Sequence, residues 1–340
     1  GIPGADMKVS QAWDYTLGTS TIEVGVLDTG IDSTHPDFQS ASHLLPGYDG
    51  YYNRNTVPRD SGSHGTCTAG LIGAVTNNSI GIAGIAPNCK LMAIRIFNAA
   101  GNASTIGIAR AFDTARVRGI DVLSNSWGGG SVLATITNAI NSAATSGRGG
   151  LGCIILFSSG NEGRNPPEYP SYLANVICVG ASTTHDQKKA AGSGNQFWWG
   201  GNYGESAATG DIECVAPTVC YSTDVQGTGG YNTAAGTTGD YYSTFNGTSC
   251  SCPNAAGVAA LVLSVNTSQT RAQVTQNLLY GCDKIDNVPY STTKTYGKWN
   301  AYFGYGRINA YNSVRLAAGV DVTPPLINHT NRASHNSTYP

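Results

Sequence analysis

Short β-branched runs alternate along this chain with longer helix-like segments of small residues, and that alternation constrains the fold more than any other feature. The strand-like runs cover residues 22–27, 91–97, 122–126, 154–158 and 176–181. Their apolar residues are contiguous rather than every second position, as in strands buried on both faces. Between them, residues 64–74, 104–118, 133–146 and 249–265 have helical length and spacing. Strand, helix, strand in repetition predicts an α/β fold of three layers, a mostly parallel central sheet flanked by helices. Ligand sites in such sheets lie beyond the carboxyl ends of the strands, so chemistry is expected just after each run.

The 340 residues suit one large domain over 1–320, followed by a linker-like tail over 321–340 that opens Asp321-Val-Thr-Pro-Pro. Only 12% of residues are charged and the net charge is −2, which argues against nucleic acid or a membrane surface as partner. The longest apolar stretch, 255–265, is too short to span a bilayer and reads as a buried helix. The chain opens at Gly1 rather than Met, as a processed product would, and the tail suggests a longer precursor.

The cysteines number nine, so at least one has no intrachain partner. Cys214 and Cys220, either side of Val-Ala-Pro-Thr-Val, are the best local candidates for a disulfide. Cys250-Ser251-Cys252 is too closely spaced for a zinc pair.

At the expected carboxyl edge, Asp28 ends the first strand-like run. A carboxylate there must be paired, and as a lone residue it reads equally as a cap or a metal ligand. His64 opens a helix in a glycine-containing turn. Ser249 follows Gly247-Thr248, with Pro253 expected in the first helical turn, where its missing N–H costs little. A serine at a helix N-terminus is usually a cap, although the amides there also hold anions.

Taken together, Val26-Leu27-Asp28-Thr29-Gly30-Ile31-Asp32, His64-Gly65-Thr66, Ser126-Trp127-Gly128, Ser158-Ser159-Gly160-Asn161-Glu162-Gly163 and Gly247-Thr248-Ser249 resemble the subtilase family of serine peptidases, in the same order and over most of the chain. The resemblance implies a subtilisin-like fold and a secreted, extracellular endopeptidase of broad specificity. It implies Ser249 as nucleophile, His64 as general base and acid, and Asp28 as its orienting carboxylate. Asn161 and the Ser249 N–H would bind the oxyanion. Ser126, Trp127, Gly128 and Gly160 would line the substrate cleft. Trp127 reads equally as a pocket wall or a core residue. Protein or peptide substrates are the expected partners of a monomer, with a propeptide or inhibitor as a further partner.

The resemblance also implies structural calcium and no organic cofactor. Thr76, Asn78, Ile80 and Ile82 of Val75-Thr-Asn-Asn-Ser-Ile-Gly-Ile82 would supply oxygens, with a carboxylate from Asp37.

Departures from the family pattern are Cys250, where Met is usual, Cys67 in place of a second His, and Glu168. The last falls at the base of the first specificity pocket, where the family often has Gly. A carboxylate there would favour Lys or Arg before the scissile bond. The alternative is that it points to solvent or pairs with Arg164, leaving a broad apolar preference. Two other functions are compatible with the same fold: a peptide maturase or transpeptidase, for which 190–203 is the candidate lid, and a catalytically silent binding module.

Overall fold

The computed structural model describes residues 1–320 apart from 41–42, 61, 193–195 and 207–209; the expected tail 321–340 lies outside the described residues. The strand-like runs become β1 (Glu23–Asp28), β3 (Lys90–Arg95), β4 (Val122–Asn125), β5 (Ile154–Ser158) and β6 (Ile177–Ser182), with β2 (Tyr48–Asp49) and β7 (Cys214–Pro217) completing the sheet. All seven strands pair in parallel, in the order β2-β3-β1-β4-β5-β6-β7. The pleat explains the contiguous apolar pattern. Val26 enters one core cluster and its neighbour Leu27 enters the other, on the opposite face.

Helices α1 (His64–Gly73), α2 (Thr105–Arg118), α3 (Ala134–Ser146) and α4 (Thr248–Val265) lie within a residue of the expected positions. Residues of α2 and α3 such as Phe112 and Ile140 pack with Leu27, Leu123 and Phe157 on one side of the sheet. On the other side, Ile72 of α1 and Val258 and Leu261 of α4 pack with Val24, Val26 and Leu156. Helix α4 is longer than the apolar stretch suggested. Its 18 residues are apolar and long enough to cross a bilayer by composition, yet 83% of that window is buried inside the protein.

Parallel pairing puts the ends of β1, β4 and β5 at one edge, and the N-termini of α1 and α4 come to the same edge. The approach of α1 is unusually close. A Cβ on Gly65 would lie 2.0 Å from the Gly30 carbonyl oxygen, so only glycine lets this helix end rest on the turn after β1. The Gly65 N–H donates to Thr29 Oγ1 at 2.9 Å, which fixes the approach.

After β7, the antiparallel pair β8 (Cys220–Thr223) and β9 (Tyr241–Phe245) lies over α1. Ser222 Oγ donates to the Cys67 carbonyl at 2.6 Å and Thr223 Oγ1 to the Thr66 carbonyl at 2.8 Å. This arrangement overturns the expected Cys214–Cys220 disulfide, because all nine cysteines are free thiols. Cys214 points into the large core under the sheet, whereas Cys220 packs with Cys67, Leu71, Phe245 and Cys250 in a separate cluster. The left-handed Val219 (φ 64°) lies between them in sequence.

Candidate active site

Asp28, the last residue of β1, is 1% exposed. Its Oδ1 accepts the Thr29 N–H at 2.8 Å, and both its oxygens lie close to His64 Nδ1, at 2.8 and 2.9 Å. A carboxylate at that position requires the hydrogen on Nδ1 and leaves Nε2 as the acceptor facing the cleft. Burial alone would lower the His64 pKa. The charge and hydrogen bond of Asp28 outweigh it, with help from Asp60, and the net shift is upward. Phe245 supports the imidazole edge-on, at 5.4 Å between ring centres.

Ser249 sits in the first turn of α4, where its N–H has no intrahelical acceptor. The expectation for Pro253 needs correction. The helix begins at Thr248, so Pro253 falls in the second turn and removes the N–H that would have bonded the Ser249 carbonyl. Ser126 takes up that orphaned oxygen, with Oγ donating to Ser249 O at 2.9 Å. Ser249 Oγ in turn donates to the Ser126 carbonyl at 3.2 Å. The hydroxyl is therefore turned to Ser126 rather than to His64, although both residues line one cavity of about 320 Å³ with Asn161 and Gly247. Rotation about χ1 re-aims a serine hydroxyl between staggered wells, and hydrogen bonds at such sites often tighten only when substrate is present.

Asn161, three residues beyond β5, is held by a residue that sequence reasoning missed. Thr248 directs both its N–H (2.8 Å) and its Oγ1 (2.9 Å) at Asn161 Oδ1. With the amide oxygen fixed in this way, Nδ2 is the end that remains for the cavity. Thr248 Oγ1 also accepts the Gly160 N–H at 3.2 Å, tying the β5 end to the α4 start. The sequence signal for this role was only that Thr248 precedes the serine. The signal for the Ser126 clamp was Pro253, four residues after Ser249.

Trp127 is half-buried and packs against the core cluster between the sheet and helices α2 and α3. Its ring meets Phe157 edge-on at 4.9 Å and lies against Phe97 and Phe112. Gly128 and Gly129 are exposed beside it, and the Gly129 N–H bonds the Tyr169 carbonyl at 2.7 Å. The Glu168 side chain lies against these glycines and Gly160: a Cβ added at Gly129 would meet its Oε2 at 3.3 Å. Arg164 Nη2 donates to Glu168 Oε1 at 3.0 Å. Glu162 is a partner the sequence did not reveal. Burial, and then the hydrogen bond and charge of Glu162, push the Glu168 carboxyl up to about 7. Glu162 moves the other way, lowered by that same hydrogen bond.

Away from this cleft, the loop 76–83 folds around the buried Asp37. Asn78 Nδ2 donates to Asp37 Oδ1 at 2.8 Å and the Ile82 N–H to Oδ2 at 3.0 Å, while Asn78 Oδ1 accepts the Ile80 N–H at 3.2 Å. Thr76, Asn78, Ile80 and Ile82 line one concavity.

Comparison with known proteins gives one consistent result. A family model described as the subtilase family matches residues 19–306. The chain is 33% identical to a thermophilic serine proteinase of a Bacillus species over 89% of this chain, and 34% identical to a calcium-dependent protease of a Nostoc species over 95% of it. It spans 64% and 50% of the length of those two relatives. It is also 30% identical to thermitase of Thermoactinomyces vulgaris, over 91% of this chain and 94% of that protein.

The Asp28 contact makes a prediction for the resting protein. The His64 ring titrates above the ordinary histidine value of about 6.5. Asp28→Asn keeps the shape, removes the charge and brings that titration down, because burial then dominates. Proton NMR of the ring through pH 5–9 reads both, and a titration indifferent to the substitution would mean that the pair carries no charge coupling.

Proposed function

The chain belongs to the subtilase family, and on that premise we propose that it is a serine endopeptidase working through an acyl-enzyme. The observation that supports this most is the convergence of Asp28, His64, Ser249 and Asn161 from separate elements on one edge of the sheet. In this reading Ser249 Oγ leaves the Ser126 carbonyl and attacks the scissile carbonyl, giving its proton to His64 Nε2. Asp28 stabilises the imidazolium that forms. The oxyanion is received by Asn161 Nδ2 and the Ser249 N–H, a pair fixed before substrate arrives, and one such donor is worth roughly 3–4 kcal/mol in the transition state. His64 then protonates the departing amine, and water reverses the sequence to release the acid. Extended backbone pairs along Ser126–Gly128 and beside Gly160, which suits protein and peptide substrates and a propeptide or inhibitor alike.

The decisive assay uses unfolded protein as substrate. Cleavage is expected, with Ser249→Ala abolishing it and Asn161→Ala lowering kcat by roughly 10²–10³ with little change in KM. A Ser249→Ala protein that cleaves as fast as the parent would end this reading.

The reading includes a preference for Lys or Arg before the scissile bond, through Glu168. With its carboxyl at about 7, that charge is absent in mildly acidic solution and present above neutrality. The ratio of kcat/KM for Lys over Phe peptides therefore rises about tenfold between pH 6 and pH 8.5. Glu168→Gln flattens the rise, and matched rates for Lys and Phe at the upper pH would remove the preference.

The protein is taken to act outside the cell as a monomer, as the family resemblance implies. Free thiols are compatible with that setting because seven of the nine cysteines are buried, where desolvation raises thiols such as Cys67, Cys250 and Cys252 and keeps them unreactive.

Structural calcium completes the proposal. Among the described residues no three His, Cys, Asp or Glu side chains are grouped so as to hold a metal ion, so a cation would rely on amide and carbonyl oxygens around one carboxylate. The loop offers that chemistry: Asp37, the Asn78 side chain and the carbonyls of Thr76, Ile80 and Ile82 are all oxygen donors suited to a hard cation. Asp37 is at present occupied by N–H groups, so binding requires the Asn78 amide to turn its oxygen inward. Chelation by EDTA is expected to lower Tm by about 5 °C or more, restored by calcium and not by magnesium. An unmoved Tm would exclude a structural ion.

A further inference from the structure

The role proposed for Asn161 needs its amide nitrogen held at one point, and the hydrogen bonds from Thr248 fix only the tip of that side chain. The backbone beneath is held by Asn202, a residue with no part in the proposed steps. Asn202 is 1% exposed, and every polar group it has bonds to residues 159–164. Its N–H donates to the Gly160 carbonyl at 2.9 Å, and its own carbonyl accepts Ser159 Oγ at 3.0 Å. Its Oδ1 accepts the Glu162 and Arg164 N–H groups at 3.0 and 3.1 Å. Its Nδ2 donates to Glu162 Oε2 at 2.8 Å, and that same oxygen accepts the Asn161 N–H at 3.1 Å. The orientation of this amide follows from its partners, two N–H donors at one end and a carboxylate at the other.

The contact is close. Gly160 has a left-handed φ of 105°, and a Cβ built there would meet Asn202 Nδ2 at 2.2 Å. The stretch before Asn202 adds to the support. The Gly200 N–H donates to the Asn161 carbonyl at 3.3 Å, and the Gly163 N–H donates to the Gly200 carbonyl at 2.8 Å. Asn161 is thereby gripped on both its peptide groups, by Glu162 on the N–H side and Gly200 on the carbonyl side.

Loss of the Asn202 side chain would leave two N–H groups without their acceptor and free the Glu162 carboxylate that holds Asn161. A donor in an oxyanion site works only where the charge develops, and a misplacement of about 1 Å can cost on the order of a hundredfold in rate. Asn202 itself is not among the residues lining the cavity of His64, Asn161 and Ser249. We infer that Asn202 is a positioning residue for the oxyanion site, holding the turn 160–164 so that Asn161 Nδ2 meets the charge that develops on the scissile carbonyl. The inference rests on the endopeptidase reading and assigns to a buried residue outside the cleft a share in its rate.

A double-mutant cycle on one peptide substrate tests this, with kcat and KM measured for the parent, Asn202→Ala, Asn161→Ala and the double variant. Asn202→Ala is expected to lower kcat roughly tenfold or more with KM nearly unchanged. In the Asn161→Ala background the same change should cost less than about twofold, because the donor it places is already gone. Asn202→Asp is nearly isosteric and keeps the acceptor while losing the donor. It is carried through the same cycle, with a loss expected in kcat and again dependent on Asn161, so the cycle closes even where the alanine variant does not fold. An equal factor in both backgrounds overturns the inference, since a residue serving stability alone would behave that way. A loss confined to KM, or no loss, overturns it too. Cleavage by the parent together with any of those three results refutes the positioning role alone. A parent that cleaves nothing refutes the endopeptidase reading and this inference together.

Discussion

The site depends on one steric permission, the absence of a side chain at residue 65. Because Gly65 lets α1 rest directly on the Gly30 carbonyl, His64 starts its helix within hydrogen-bonding distance of the carboxylate that ends β1. A Cβ there would have to retreat from 2.0 Å to ordinary contact with the Gly30 oxygen, a shift of more than about 1 Å that would stretch that hydrogen bond. The other half of the constellation follows a similar logic at α4. A proline in the second turn frees a carbonyl, a serine from β4's exit captures it, and the nucleophile candidate is thereby pinned to the strand beside it. Neither device is chemical in itself, and together they bring the chemistry to one rim of the sheet.

A second theme is orientation by hydrogen bonds that point away from the reacting atoms. Thr248 engages only the oxygen of Asn161, and in doing so decides where the nitrogen goes. Thr29 engages Gly65, and Asp60 gathers the N–H groups of Gly62 and Thr66 at 2.8 Å each, ordering the turn that carries His64. The groups that would meet substrate thus have their rotamers set by neighbours that would not, the arrangement that lowers the reorganisation cost of polar catalysis.

The architecture was legible in the sequence because runs such as 154–158 and 176–181 are too short for helices and mostly apolar, as strands buried on both faces are. The residues at their ends were legible because glycine-containing motifs around Asp28, His64 and Ser249 occur in a recognisable order. What escaped was every feature that depends on a third dimension. Cys214 and Cys220 are close in sequence but enter different clusters, since β7 is a core strand and β8 has already left the sheet. Glu162 stands six residues before Glu168, and nothing in the sequence marked the two carboxyls as hydrogen-bonded neighbours. Nothing in the sequence marked the loop 224–240, because buried aspartates in a Gly-Thr-rich segment cannot be distinguished from exposed ones without coordinates.

The unbridged thiols have a consequence for the lifetime of the molecule among its own kind. With none of the nine cysteines cross-linked, no covalent tie would hold the two halves of a nicked chain together. Under the proposed endopeptidase activity each molecule is also food for its siblings, and every transient opening of a surface segment is an opportunity for them. Resistance to self-digestion must then reside in how seldom such segments open, so that buried aspartates such as Asp224, which holds the Val225 and Asn232 N–H groups of the loop 224–240, defend the molecule.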